Sequence, residues 1–125
     1  MKLPDPHWEA FCKRGRYSIE NQRTSVERCL GPDGVVRGHY SDFQLDPTLS
    51  DKSALYPSHD HTLDRSDDTH MVVDARFIND MKSILAEDEF WMVIAHLYSV
   101  GMKKGKINRD GPRRLPSAWK PKRNY

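Results

Sequence analysis

Asp60-His61, His70, Asn79 and Lys82 place a carboxylate, imidazoles, a carboxamide and an ammonium in a stretch short enough to be one structural unit. An imidazole titrates close to neutral pH, so it can take or give a proton under ordinary conditions. Carboxylate and carboxamide oxygens suit hard divalent cations. An Asp-His pair taken alone carries little weight, because six histidines and eighteen acidic residues generate such pairs by chance. The order of local patterns around these residues carries more.

Ala54-Leu55-Tyr56-Pro57 runs into Ser58-His59-Asp60-His61, then a polar turn at Asp64-Arg65-Ser66-Asp67-Asp68, then the run Met71-Val72-Val73. That pattern predicts two short extended segments joined by an acidic turn. After Asp74 the period changes: Phe77, Ile78, Met81, Ile84 and Leu85 recur at helical spacing. Glu87-Asp88-Glu89 favours the start of a further helix, because carboxylates oppose the dipole at a helix N-terminus. Phe90, Val93, Ile94, Leu97 and Tyr98 are expected to form its buried stripe as far as Gly101. Upstream, Asp5-Pro6 before Trp8, Phe11 and Cys12 reads as a capped short helix ended by Gly15. A second helix is expected from Ser18 to Leu30, with Ile19, Val26, Cys29 and Leu30 near one face. Residues 32–53 read as turns around at most a short strand at Val35-Val36.

With the run Tyr56 to His61, His70-Met71-Val72-Val73, Arg76-Phe77-Ile78-Asn79-Asp80-Met81-Lys82 and Leu85 to Phe90, the chain resembles the HNH endonuclease family. The likeness is to a small stand-alone or phage-type member. In that family an Asp-His pair on a first strand is followed by an Asn or His at the start of the second, and an Asn or His on the helix completes the site. Asp60-His61, His70 and Asn79 match those positions. The resemblance implies an α+β fold: a small ββα-metal hairpin-helix core over residues 54–101, a helical and loop segment over 1–53, and a basic, Pro-rich tail over 102–125.

It also implies roles. His61 is the expected general base for a water attacking phosphorus. Asp60 and Asn79 are the expected ligands of one divalent cation, Mg2+ or Mn2+, with Zn2+ or Ni2+ as other occupants of an imidazole-bearing site. His70 is expected to fix the orientation of the base. Lys82, on the same helix face as Asn79, Arg76 and Arg65 are candidate phosphate contacts. His59 is expected on the strand face opposite Asp60, near the phosphate, and Asp64, Asp67 and Asp68 in a solvated turn. The chain departs from the family in its short turn without Gly-Gly and in lacking the CxxC pairs that hold structural zinc, so hydrophobic packing that includes Tyr56 and Phe90 must hold the domain. Cys12 and Cys29 read as reduced thiols, and together with His7 and His39 they match no structural zinc spacing.

Charge points toward a polyanion. From Gly101 to Tyr125, nine Lys or Arg face the single acid Asp110, a net +8; against the chain total of +2 this leaves −6 on residues 1–100. Lys103, Lys104, Arg113 and Arg114 are therefore candidate nucleic-acid contacts, and Trp119 among them is placed to stack on a base or pack on the domain. With 125 residues the chain fits one domain with a small core. It has no run of ~20 apolar residues and no apolar N-terminal stretch, so a cytoplasmic protein without membrane contact is expected. The expected activity is metal-dependent cleavage of double-stranded DNA, with a protein partner or homodimer adding specificity. A non-catalytic nucleic-acid-binding module and an RNA-directed or toxin-type nuclease are the alternatives.

Overall fold

The chain reverses between two short strands, β1 (Pro57–His61) and β2 (Met71–Ala75), which pair antiparallel with His61 opposite Met71 and Pro57 opposite Ala75. Asp64 and Asp67 shape the turn between them. Asp64 Oδ1 accepts from the Ser66 backbone N–H at 2.8 Å, and Asp67 Oδ1 accepts from that of Thr69 at 3.1 Å. These are local Asx bonds that offer the chain a turn in place of a ladder. His70 does not start the second strand; it ends a single 3₁₀ turn, Asp68–His70, immediately before it. All five residues of β2 are buried, so this strand has a covered residue on both faces.

The computed structural model describes Leu3 and residues 5–107. Among these residues four helices lie around the hairpin: α1 (Pro6–Cys12), α2 (Ile19–Glu27), α3 (Arg76–Lys82) and α4 (Glu87–Lys103). The arrangement is α+β. Asp5 caps α1 by accepting from the His7 and Trp8 amides, and Ser18 caps α2 by accepting from Asn21. Helix α1 ends at Cys12, before Gly15, and α2 stops at Glu27, short of Leu30. Ile19 is 44% exposed, and α2 instead buries Gln22, Ser25 and Val26. The expected short strand reduces to isolated bridges, Leu30 with Val36 and Arg37 with Gln44.

Trp8, Phe11, Cys12, Val26, Val36, Leu45, Tyr56, Val73, Ala75, Ile78 and Phe90 make the core, with Tyr56 and Phe90 in it as expected. Neither cysteine is paired; burial pushes the Cys12 thiol up to about 11. Among the described residues no three or more His, Cys, Asp or Glu are grouped to hold a metal, and no helix is long and apolar enough to cross a membrane.

Two expectations about helix faces fail. Met81 and Ile84 are 53% and 72% exposed, because α3 ends at Lys82 and Ser83 turns the chain with φ of 53°. In α4, Phe90 alone is buried, while Val93, Leu97 and Tyr98 stand 41–53% exposed. The helix also runs past Gly101 to Lys103, so Lys103 belongs to its last turn and not to an extended tail. Arg113, Arg114 and Trp119 lie outside the described residues.

Candidate active site

Alternation along β1 sends its side chains two ways. His59 goes toward the helices before the hairpin: its ring stacks on Phe11 with centroids 5.0 Å apart, and its two nitrogens lie 2.9 Å from Ser25 Oγ and 3.1 Å from Gln22 Oε1. Burial lowers its pKa to about 4. With both nitrogens engaged, His59 is a neutral structural residue and not a phosphate contact. Asp60 goes the other way. Its Oδ2 accepts from Tyr40 Oη at 2.5 Å and lies 3.0 Å from Lys82 Nζ.

Lys82 is only 2% exposed, and its ammonium also donates to the Leu85 carbonyl at 2.5 Å. It is held beside the carboxylate and does not reach outward as a free phosphate contact. Tyr40 arrives from the loop before β1, which a buried carboxylate anchors. Asp74, fully buried, accepts from the backbone N–H groups of Tyr40, Ser41 and Ala75 and from Ser41 Oγ, at 2.6–3.2 Å. Burial pushes the Asp74 carboxyl up against the pull of those hydrogen bonds. The hydroxyl of Tyr40 is likewise raised, by burial first and then by Asp60.

His61, at the strand end, donates or accepts through Nε2 at 2.7 Å from Asp68 Oδ1, with its side chain 12% exposed. An ionised carboxylate only accepts, so a neutral His61 carries its proton on Nε2 and leaves the Nδ1 lone pair available. Asp68 is therefore the orienting partner of this imidazole. The aspartate expected to be solvated is the one that fixes the tautomer. The Tyr17 ring lies edge-on to His61, 5.7 Å away.

Asn79, one turn into α3, donates from Nδ2 to the Ser58 carbonyl at 2.8 Å. A carbonyl has nothing to donate, so this bond also settles which end of the carboxamide is nitrogen. Its Oδ1 is buried with no hydrogen-bond partner among the described residues. Such an orphan is uncommon in a folded protein and costs about 1–3 kcal/mol.

Asp60, His61, Asn79 and Lys82 all open on one cleft of about 650 Å3, with Arg65 and Arg16 also in its wall. No protein-family model, curated protein or solved structure matches the chain. The site therefore stands on its own geometry.

Four expected residues fall elsewhere. His70 lines a separate concavity with Arg28 and His39, and its Nδ1 is 2.7 Å from Asp67. Its carbonyl, however, accepts from both the N–H and the hydroxyl of Thr62, the residue after His61, so its backbone ties down the end of β1. Arg76 donates to the Asp51 carbonyl at 2.5 Å and is absent from the cleft wall. Lys104 caps α4 beyond Lys103, and neither lysine lines the cleft.

Asp68, Tyr40 and Arg16 were not singled out from the sequence. Asp68 had a usable signal, since a tight hairpin turn folds its acids back over the strand it leaves. Tyr40 had none, because a loop brings it in from 20 residues upstream.

Proposed function

We propose that the cleft is the active site of a metal-dependent endonuclease of HNH type that hydrolyses phosphodiester bonds in double-stranded DNA. The observation that carries this reading is the buried, unpartnered Oδ1 of Asn79 on the cleft that Asp60 and His61 also line. A neutral oxygen left without a donor, in the same cleft as a carboxylate, offers oxygen ligands of the kind that suit a hard divalent cation. Asp60 and Asn79 would hold it, Mg2+ or Mn2+ by ligand type, and when bound it supplies positive charge to the phosphate and leaving oxygens.

The chain's own residues do the rest. The Nδ1 lone pair of His61 takes a proton from water as that water's oxygen bonds to phosphorus and the bond to the leaving oxygen breaks. Asp68, at 2.7 Å from Nε2, stabilises the imidazolium that forms. Tyr40 and Lys82 hold one oxygen of Asp60, which fixes the carboxylate's direction. Arg65 and Arg16 supply guanidinium groups to flanking phosphates.

A second reading has its own support. Lys82 already neutralises Asp60, which fits a nucleic-acid-binding module without turnover. Incubating the protein with supercoiled plasmid and Mg2+ or Mn2+, with and without chelator, separates the two. We expect nicked and linear DNA only with free metal, and a loss of about 10²- to 10⁴-fold in His61→Ala, the usual worth of a general base. DNA retarded in a gel but never cut under any of these conditions would leave the binding module. Cleavage confined to RNA in a parallel incubation would change the substrate and keep the site.

A further inference from the structure

Between Glu89 and Lys103, helix α4 contains no Asp, Glu, Lys or Arg. Apart from His96 and Ser99 the stretch is apolar around its circumference, and such a helix is normally buried, yet within these 17 residues Phe90 alone is. Phe90 and Ile94 seat the first half on the core. Trp91, Ala95, Tyr98 and Met102 form a second row, spaced four, three and four, which is the seam of a two-helix coiled coil. In that row Trp91 is 45% and Tyr98 44% exposed.

The helix's ends are oppositely charged. Glu87, Asp88 and Glu89 open it, and Lys103, Lys104 and Lys106 close it. Two parallel copies would set acid against acid and lysine against lysine. Antiparallel copies set each acidic end against the other's basic end, and they also place Trp91 against Met102 of the second copy and Ala95 against its Tyr98. Large side chains then meet smaller ones along the seam.

We propose that the exposed row of α4 is the interface of an antiparallel, two-fold homodimer. Each copy presents the same patch and receives it, which is what a closed dimer requires. None of Trp91, Ala95, Tyr98 and Met102 lines the cleft, so the dimer holds whether or not the protein is a nuclease.

Sedimentation velocity of the full chain from about 1 to 100 µM, a range that brackets ordinary dimer affinities, tests it. We expect the mass of two chains, and one chain for Tyr98→Glu with unchanged circular dichroism. Orientation is tested with Asp88→Lys and Lys104→Asp. Each variant alone sets like charges together at both ends of the seam and should associate about tenfold more weakly. An equimolar mixture restores opposite charges at both ends and should recover the affinity of the unmodified protein. A monomer throughout the range would overturn the proposal, as would a dimer indifferent to Tyr98→Glu. Failure of the mixture to recover would overturn the antiparallel arrangement, and with it the charge argument for a second copy over the chain's own tail or another partner.

Discussion

Asp68 decides which nitrogen of His61 is free to act, and this makes the pair separable by substitution. Asp68→Asn keeps the shape but replaces an oxygen that can only accept with a group that can also donate. An amide donating to Nε2 favours the proton on Nδ1, the wrong tautomer for a base facing the cleft. We expect cleavage to fall about 100-fold or more with DNA binding unchanged; activity near that of the unmodified protein would remove Asp68 from the mechanism. His59 makes a different prediction, about stability. Its pKa is near 4 when folded against about 6.5 unfolded, so between those values the unfolded chain binds more protons. Stability is therefore complete above pH 6.5 and is lost as pH falls toward 4, by up to about 3 kcal/mol. Asp74, raised by burial, acts with the opposite sign. The comparison with His59→Gln isolates the histidine: thermal midpoints against pH should flatten over that window in the variant.

The strands and α3 were legible because turn acids, β-branched residues and a change of period mark them locally. The loop of residues 38–43 was not, since its shape comes from a buried carboxylate on β2 more than thirty residues away. Gly38 is where that contact is tightest: a Cβ there would lie 2.1 Å from Asp74 Oδ1 and 2.4 Å from its Cγ. Gly38→Ala must push the loop off Asp74, at a cost of about 1–3 kcal/mol. It should also weaken cleavage by moving Tyr40 away from Asp60. Chemical denaturation with an unchanged midpoint would show that the loop yields without consequence. Helix α4 was legible as a helix and misjudged in its packing, because periodicity reveals an apolar face and says nothing of what covers it.

Charge is divided along the chain, with −6 on residues 1–100 and +8 beyond. The acidic body carries the cleft, where Arg16, Arg65 and Lys82 are the cations in the wall. If the protein acts on duplex DNA as proposed, its affinity must come largely from the basic end. Deleting residues 108–125 removes Arg109, Arg113, Arg114, Lys120, Lys122 and Arg123. For every phosphate that the shortened chain no longer neutralises, the plot of log affinity against log salt should become shallower by about 0.9. A slope that survives the deletion would assign duplex binding to the body. That division of charge was fully visible in the sequence, whereas the bringing together of Asp60, His61 and Asn79 needed the fold.

The amide nitrogen of Asn79 has a second consequence. Helix α3 follows β2 in the chain and packs back against β1. The Asn79 hydrogen bond to the Ser58 carbonyl ties that helix to the strand two residues before Asp60. Cutting this side chain back to alanine would remove a proposed cation ligand and untie the helix from the strand together, so loss of cleavage in such a variant would report a shifted helix as readily as an empty site. Removing Asp60 would likewise strip the buried Lys82 of its carboxylate, which leaves His61 as the sounder position for dissecting the chemistry.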